Sequence, residues 1–142
     1  MISEVTYGDL RRVGALLQQL WPEKQIEHER LWRLLEGYIK ESDYRIYGYE
    51  QDGVLVGIIT VSLRWSFFYE GKVSIIEDLV VDKDHRGEGI GTKLVRFAED
   101  RIAEDGEVKG IEVSSDLHRT AAHDFWEKCG YSRLALQFRK EL

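Results

Sequence analysis

The sequence holds one cysteine, one proline and one methionine in 142 residues. With Cys129 alone, no intrachain disulfide can form, and a zinc site built from four cysteines, or from two cysteines and two histidines, is excluded. This cysteine usage fits an intracellular, reducing setting. The lone proline and the scattered glycines leave no composition for a linker, and no internal repeat is visible. Long apolar runs are missing as well. No stretch approaches the ~20 residues of a membrane span, and Met1-Ile2-Ser3-Glu4 lacks the basic start of a secretory signal, so a cytoplasmic protein without a membrane partner is expected. Positive charge is in deficit: 20 Lys and Arg against 26 Asp and Glu give −6. A nucleic-acid surface would need clustered basic residues, so cationic or neutral partners are expected instead.

Hydrophobic residues make up 43% and charged residues 32% of the chain, a balance that supports a core and excludes a disordered or low-complexity chain. The length suits one domain, residues 1–142. Ile2 to Val5 reads as a short strand. Thr6-Tyr7-Gly8-Asp9 then reads as a helix N-cap before Leu10, Val13, Leu16, Leu17 and Leu20, which recur at helical spacing until Trp21-Pro22. A second amphipathic helix spans Ile26 to Ile39. Tyr44 to Glu50 and Val54 to Trp65 are rich in aromatic and β-branched residues, and Asp52-Gly53 between them signals a hairpin. Tyr69-Glu70-Gly71 turns the chain into a third strand ending at Val81. A helix at Ile90 to Ala103, a strand at Ile111 to Ser115, a short helix at Ala121 to Lys128 with a Cys129-Gly130 cap, and a last strand at Tyr131 to Phe138 complete the order. The reading is α+β: a mixed, mostly antiparallel sheet flanked by helices on both faces.

The most specific segment runs from Val80-Val81 through Asp82-Lys83-Asp84-His85 into Arg86-Gly87-Glu88-Gly89-Ile90-Gly91-Thr92. Three glycines within five positions let backbone N–H groups crowd an anion, and the helix that follows adds unpaired N–H groups and its positive dipole end. A pyrophosphate suits that geometry. Lys93 follows Gly91-Thr92 in the wrong order for a P-loop, and a dinucleotide fold would need repeated parallel βαβ units.

The Arg-x-x-Gly-x-Gly loop at Arg86 to Gly91 resembles that of the GNAT N-acetyltransferases. Ile76-Glu77-Asp78-Leu79-Val80-Val81 resembles the strand before their loop, and Ala121 to Tyr131 resembles their second motif. The resemblance covers nearly the whole chain. It implies acetyl-CoA as co-substrate, with the amides of Arg86, Gly87, Glu88, Gly89, Ile90 and Gly91 and the Thr92 hydroxyl on the pyrophosphate. It also implies that the backbone of Leu79, Val80 and Val81 pairs with the pantetheine arm. Arg119 falls where many relatives carry Asn. Trp126 falls where many carry the Tyr that protonates the departing thiolate, and an indole has no usable acid pKa.

Amine attack on a thioester needs a neutral amine and therefore a base. Glu77 and Asp78, adjacent on a strand, are expected on opposite faces, and the resemblance turns Glu77 towards the acceptor. Asp116 is a second candidate for base or amine recognition. His123 and Asp124 are neighbours on a helix and form no dyad, Cys129 reads as a small buried residue, and His28, His85 and His118 show no ligand spacing, so no metal is expected. Trp65-Phe67-Phe68-Tyr69 would line an acceptor pocket, close a dimer or pack in the core.

Leu20-Trp21-Pro22-Glu23, Ser62-Leu63-Arg64-Trp65, Ser114-Ser115-Asp116 and Phe138-Arg139-Lys140 resemble one group of aminoglycoside 6′-N-acetyltransferases. The expectation is an acetyl-CoA-dependent N-acetyltransferase acting on a primary amine of a small molecule by direct attack in a ternary complex, as a homodimer. A non-catalytic acyl-CoA-binding module and a peptide or protein N-terminal acetyltransferase are the alternatives.

Overall fold

In the computed structural model, which describes residues 1–142, the Asp52-Gly53 signal is realised as two left-handed residues, with φ of 53° and 77°. They join β2 (Tyr44–Gln51) to β3 (Val54–Ser66), and paired left-handed residues match the twist of a two-residue hairpin. β4 (Gly71–Val81) pairs antiparallel with β3, and β1 (Ile2–Glu4) pairs antiparallel with β2. With β5 (Val108–Val113), they form one sheet in the order β1-β2-β3-β4-β5. The chain divides into two compact units, Met1–Glu112 and Val113–Leu142.

In the first unit, strand alternation sorts side chains between two helical layers. α1 (Leu10–Leu20) is opened by Thr6 and Asp9, whose carboxylate accepts the Thr6 N–H at 3.0 Å. It buries Leu10, Val13, Leu16 and Leu17 with Leu35 of α2 (His28–Lys40) against Ile46, Ile58 and Val80 of the sheet. Truncating Leu16, which is fully buried, to Ala would cost about 2–5 kcal/mol. Neighbouring residues point the other way, onto α3 (Ile90–Ala103). A Cβ on Gly57 would lie 3.1 Å from Leu94 and 3.2 Å from Ile90, and Tyr47 meets Phe97 edge-on at 5.2 Å. The helices therefore cover both faces, as expected.

The β4 and β5 strands meet at their beginnings: the Lys72 N–H donates to the Glu107 carbonyl at 2.8 Å, and the Lys72 ammonium lies 3.2 Å from Asp105. The strand expected at Ile111 to Ser115 begins earlier, at Val108, so Gly110 lies inside it. A Cβ there would fall 2.5 Å from the Tyr69 ring, so glycine makes room for an aromatic lid whose hydroxyl donates to Glu112 at 2.8 Å.

The second unit holds α4 (Thr120–Lys128). Gly130, at φ 96°, ends it in the left-handed region, and the Tyr131 N–H returns to the Trp126 carbonyl at 3.0 Å, which is the expected glycine cap. The strand expected at Tyr131 to Phe138 does not form. Leu134, Leu136 and Phe138 alternate as a strand would, but all three are exposed. Alternation permits a strand, whereas a ladder needs a partner edge for its N–H and C=O groups.

Candidate active site

The β3–β4 ladder slips at one point. Thr60 stands opposite Asp78 and Val61 opposite Ile76, so Glu77 is an extra residue with no partner across the ladder. Such a bulge re-aims a side chain, and here it overturns the opposite-face expectation for Glu77 and Asp78. The Thr60 hydroxyl donates to Asp78 at 2.6 Å and the Ser62 hydroxyl to Glu77 Oε1 at 2.8 Å. Thr60 and Ser62 are alternate residues of β3 and share a face, so both carboxyls lie on it. Glu77 is exposed and Asp78 is half-buried.

Tyr38 of α2 reaches the same place, a contribution the sequence reading missed. Its hydroxyl donates to the Val61 carbonyl at 3.0 Å, and its ring packs on Tyr44 at 4.6 Å. Burial pushes the Tyr38 phenol well above its ordinary range, with the nearby Glu77 and Asp78 acting in the same direction. Burial likewise raises the Asp78 pKa, opposed by the Thr60 hydrogen bond.

At the end of β4, Asp82 is only 8% exposed and anchors the loop that follows. Its carboxylate accepts from Gln19 Nε2 at 3.0 Å and Arg12 at 3.0 Å, both on α1, with His85 Nδ1 3.3 Å away. Gln19 also accepts the Lys83 N–H at 2.9 Å. The Gln19 hydrogen bond, with Arg12 behind it, holds the Asp82 carboxyl below the usual carboxylate range. Arg86 Nε donates to the Val81 carbonyl at 3.0 Å, folding the loop's first residue back on β4.

Gly87 and Gly89 both sit at φ 81°, a conformation that disfavours any side chain. A Cβ on either would meet nothing within 4 Å, so open space lies in front of the loop. Gly89 caps α3, and the Lys93 N–H begins the helical bonding to it at 3.1 Å. The N–H groups of Ile90, Gly91 and Thr92 therefore have no partner within the helix and sit at its positive end. An open cleft of about 670 Å³ adjoins the loop from the end of α1, with Gln18, Gln19, Lys24, Lys83 and Arg86 in its walls beside one carboxylate, Glu23. Free amides, open space and basic side chains fit a pyrophosphate.

The remaining candidates are placed as follows. The Asp82 N–H joins the Val56 carbonyl at 2.7 Å, and antiparallel alternation from that bond turns the backbone of Val80 towards β3 and that of Leu79 and Val81 away from it. In the second unit, the Asp116 carbonyl takes the Arg119 N–H at 3.0 Å, with His123 Nε2 2.7 Å away. Trp126 packs edge-on between Phe125 at 5.1 Å and Tyr131 at 5.4 Å. Trp65, Phe67 and Phe68 are 68%, 103% and 87% exposed, so that turn is no part of the core.

The family model of the acetyltransferase (GNAT) family matches residues 12–131 of this chain. A curated relative, aminoalkylphosphonate N-acetyltransferase of Salmonella typhimurium, is 29% identical over 65% of the chain, and the match spans 59% of the relative's own length. Glucosamine 6-phosphate N-acetyltransferase of Arabidopsis thaliana is 30% identical over 80% of the chain and 74% of the relative. Its crystal structure superposes with a TM-score of 0.80 over 99% of this chain and 97% of that one. An aminoglycoside acetyltransferase from an uncultured soil metagenomic sample shares the fold at 20% identity, with a TM-score of 0.83 over 100% of this chain and 95% of that one. The acetyltransferases of this family use acetyl-CoA as co-substrate. The chain belongs to the GNAT family of acetyltransferases.

Proposed function

We propose that this chain transfers the acetyl group of acetyl-CoA to a primary amine of a small molecule by direct attack in a ternary complex. The observation that carries the reading is that β4 joins two features: it leads into a loop with left-handed Gly87 and Gly89 at the start of α3, and upstream it presents Glu77, displaced from the ladder by a bulge.

The amides of Arg86 to Gly91, with the Thr92 hydroxyl, anchor the pyrophosphate at the start of α3. Leu79 and Val81 direct their backbone groups away from β3, and their N–H groups bind the pantetheine arm and polarise the thioester, the Val81 carbonyl being held by Arg86 Nε, while Val80 holds the strand in the sheet. Glu77 takes a proton from the ammonium, the neutral nitrogen attacks the thioester carbon, and the C–S bond breaks. Trp126 donates no proton at the sulfur. A thiol of ordinary pKa near 8.5 departs as a thiolate, and the second proton, which the nitrogen sheds as the amide forms, passes through water to the sulfur.

Asp116 is a second carboxylate for recognising the amine. A cationic acceptor is favoured by the −6 charge, and polycationic amines such as aminoglycosides head the candidates. The similarity to an aminoalkylphosphonate N-acetyltransferase adds aminoalkylphosphonates to the candidates. The exposed aromatic turn at Trp65 to Phe68 supports a homodimer, and one cysteine supports a cytoplasmic setting. No helix is long and apolar enough to cross a membrane. The test is release of CoA thiol from acetyl-CoA with a panel of aminoglycosides, polyamines and aminoalkylphosphonates. Release with at least one amine is expected, whereas binding of acetyl-CoA without release would favour the non-catalytic module that Trp126 motivates.

A further inference from the structure

Three consecutive residues of β3 carry side-chain hydrogen bonds where the ladder slips. Thr60 donates to Asp78 at 2.6 Å, the Val61 carbonyl accepts from Tyr38 at 3.0 Å, and Ser62 donates to Glu77 at 2.8 Å. A fourth bond braces the same stretch, from the Ser74 hydroxyl to the Ser62 carbonyl at 3.1 Å. A bulge by itself leaves its extra residue unpaired and locally loosens the strand. Here the extra residue is a glutamate, a side chain that would otherwise sample many rotamers from an exposed position.

We infer that Ser62 and Tyr38 are positioning residues for acetyl transfer: Ser62 holds Oε1 of Glu77 so that Oε2 is left to take the amine proton, and Tyr38 fixes β3 beneath it. The inference rests on Glu77 being the base. A hydroxyl can give its one proton to only one acceptor, so the Ser62 bond distinguishes two otherwise equivalent carboxylate oxygens. Tyr38 ties α2 to the strand at the slip itself. Because its phenol is held protonated by burial, it remains a donor across the working pH range. Thr60 does the same for the residue after the bulge, by pinning Asp78.

Displacing a catalytic group by about 1 Å can cost 10²-fold in rate, so loss of this bracing should show in kcat. The experiment compares Ser62→Ala, Ser62→Thr, Tyr38→Phe and Glu77→Gln for kcat, for KM with acetyl-CoA and amine, and for the dissociation constant of acetyl-CoA by calorimetry. Ser62→Ala and Tyr38→Phe should lower kcat about ten- to hundredfold with acetyl-CoA binding unchanged, and Ser62→Thr, which keeps a hydroxyl, should recover most of the loss. The inference is overturned if Ser62→Ala keeps wild-type kcat while Glu77→Gln is inactive. It is also overturned if Ser62→Thr is as impaired as Ser62→Ala, or if acetyl-CoA binding weakens in step with kcat. A fully active Glu77→Gln overturns instead the assignment of the base on which it rests.

Discussion

Glu77 has no partner across the β3–β4 ladder, yet its carboxylate is held at 2.8 Å by the hydroxyl of Ser62. The length of the side chain matters to that arrangement. Glu77→Asp removes one methylene, which pulls the carboxylate back from Ser62 and from the amine. A fall in kcat of about 10²-fold is expected, with the dissociation constant of acetyl-CoA, measured by calorimetry, left at its wild-type value.

The loop before α3 makes a separate prediction, because Gly89 sits at φ 81° and also caps the helix. Gly89→Ala forces a side chain into left-handed backbone, which costs of order 1–3 kcal/mol. Part of that strain is relieved by moving the amides out of register with an anion. Weaker binding of CoA, read by calorimetry, and a smaller thermal shift on adding CoA are expected. An unchanged CoA affinity would count against pyrophosphate binding by these amides.

Asp78 and Asp82 should give opposite signatures against pH. Burial raises the Asp78 pKa, so the folded state holds its proton more tightly than the unfolded state, and its contribution to stability declines as pH rises through the ordinary Asp value, about 3.9, to the raised one. The hydrogen bond from Gln19, with Arg12, lowers the Asp82 pKa. Its stabilisation is present above about pH 3.9 and is lost as pH falls through the depressed value. Urea midpoints across this range should show the downward trend with rising pH relieved in Asp78→Asn, and the loss at low pH flattened in Asp82→Asn.

Gly110 lies under the Tyr69 ring, which a Cβ would meet at 2.5 Å. Gly110→Ala should displace Tyr69 from Glu112 and destabilise the protein by about 1–3 kcal/mol, read as a lowered urea midpoint. Tyr69→Phe, which removes the hydroxyl and keeps the ring, should cost less.

Much of this architecture was legible in the residues. The Asp52-Gly53 turn, the apolar spacing of α1 and α3, the Cys129-Gly130 cap and the glycines before α3 are local signals, set by backbone sterics and by period, and each appears where expected. What escaped depended on distant partners. Strand alternation put Glu77 and Asp78 on opposite faces, because a bulge depends on register with β3 and not on the residues of β4 alone. Tyr38 lies within the second amphipathic helix with nothing local to set it apart, and only its reach to Val61 brings it to the site. Arg12 and Gln19 of α1 gave no sign of their bonds to Asp82. The alternation of Leu134, Leu136 and Phe138 suggested a strand for which Val113–Leu142 provides no edge.

The most direct test is the steady-state release of CoA thiol from acetyl-CoA by wild type and Glu77→Gln, with the same primary amine and with acetyl-CoA binding to each protein measured in parallel. The expected result is turnover by wild type, a loss of about 10²–10⁴-fold in kcat for Glu77→Gln, and equal acetyl-CoA affinity for the two. Equal rates from both proteins, or no thiol release by wild type with any amine of the panel, would contradict it.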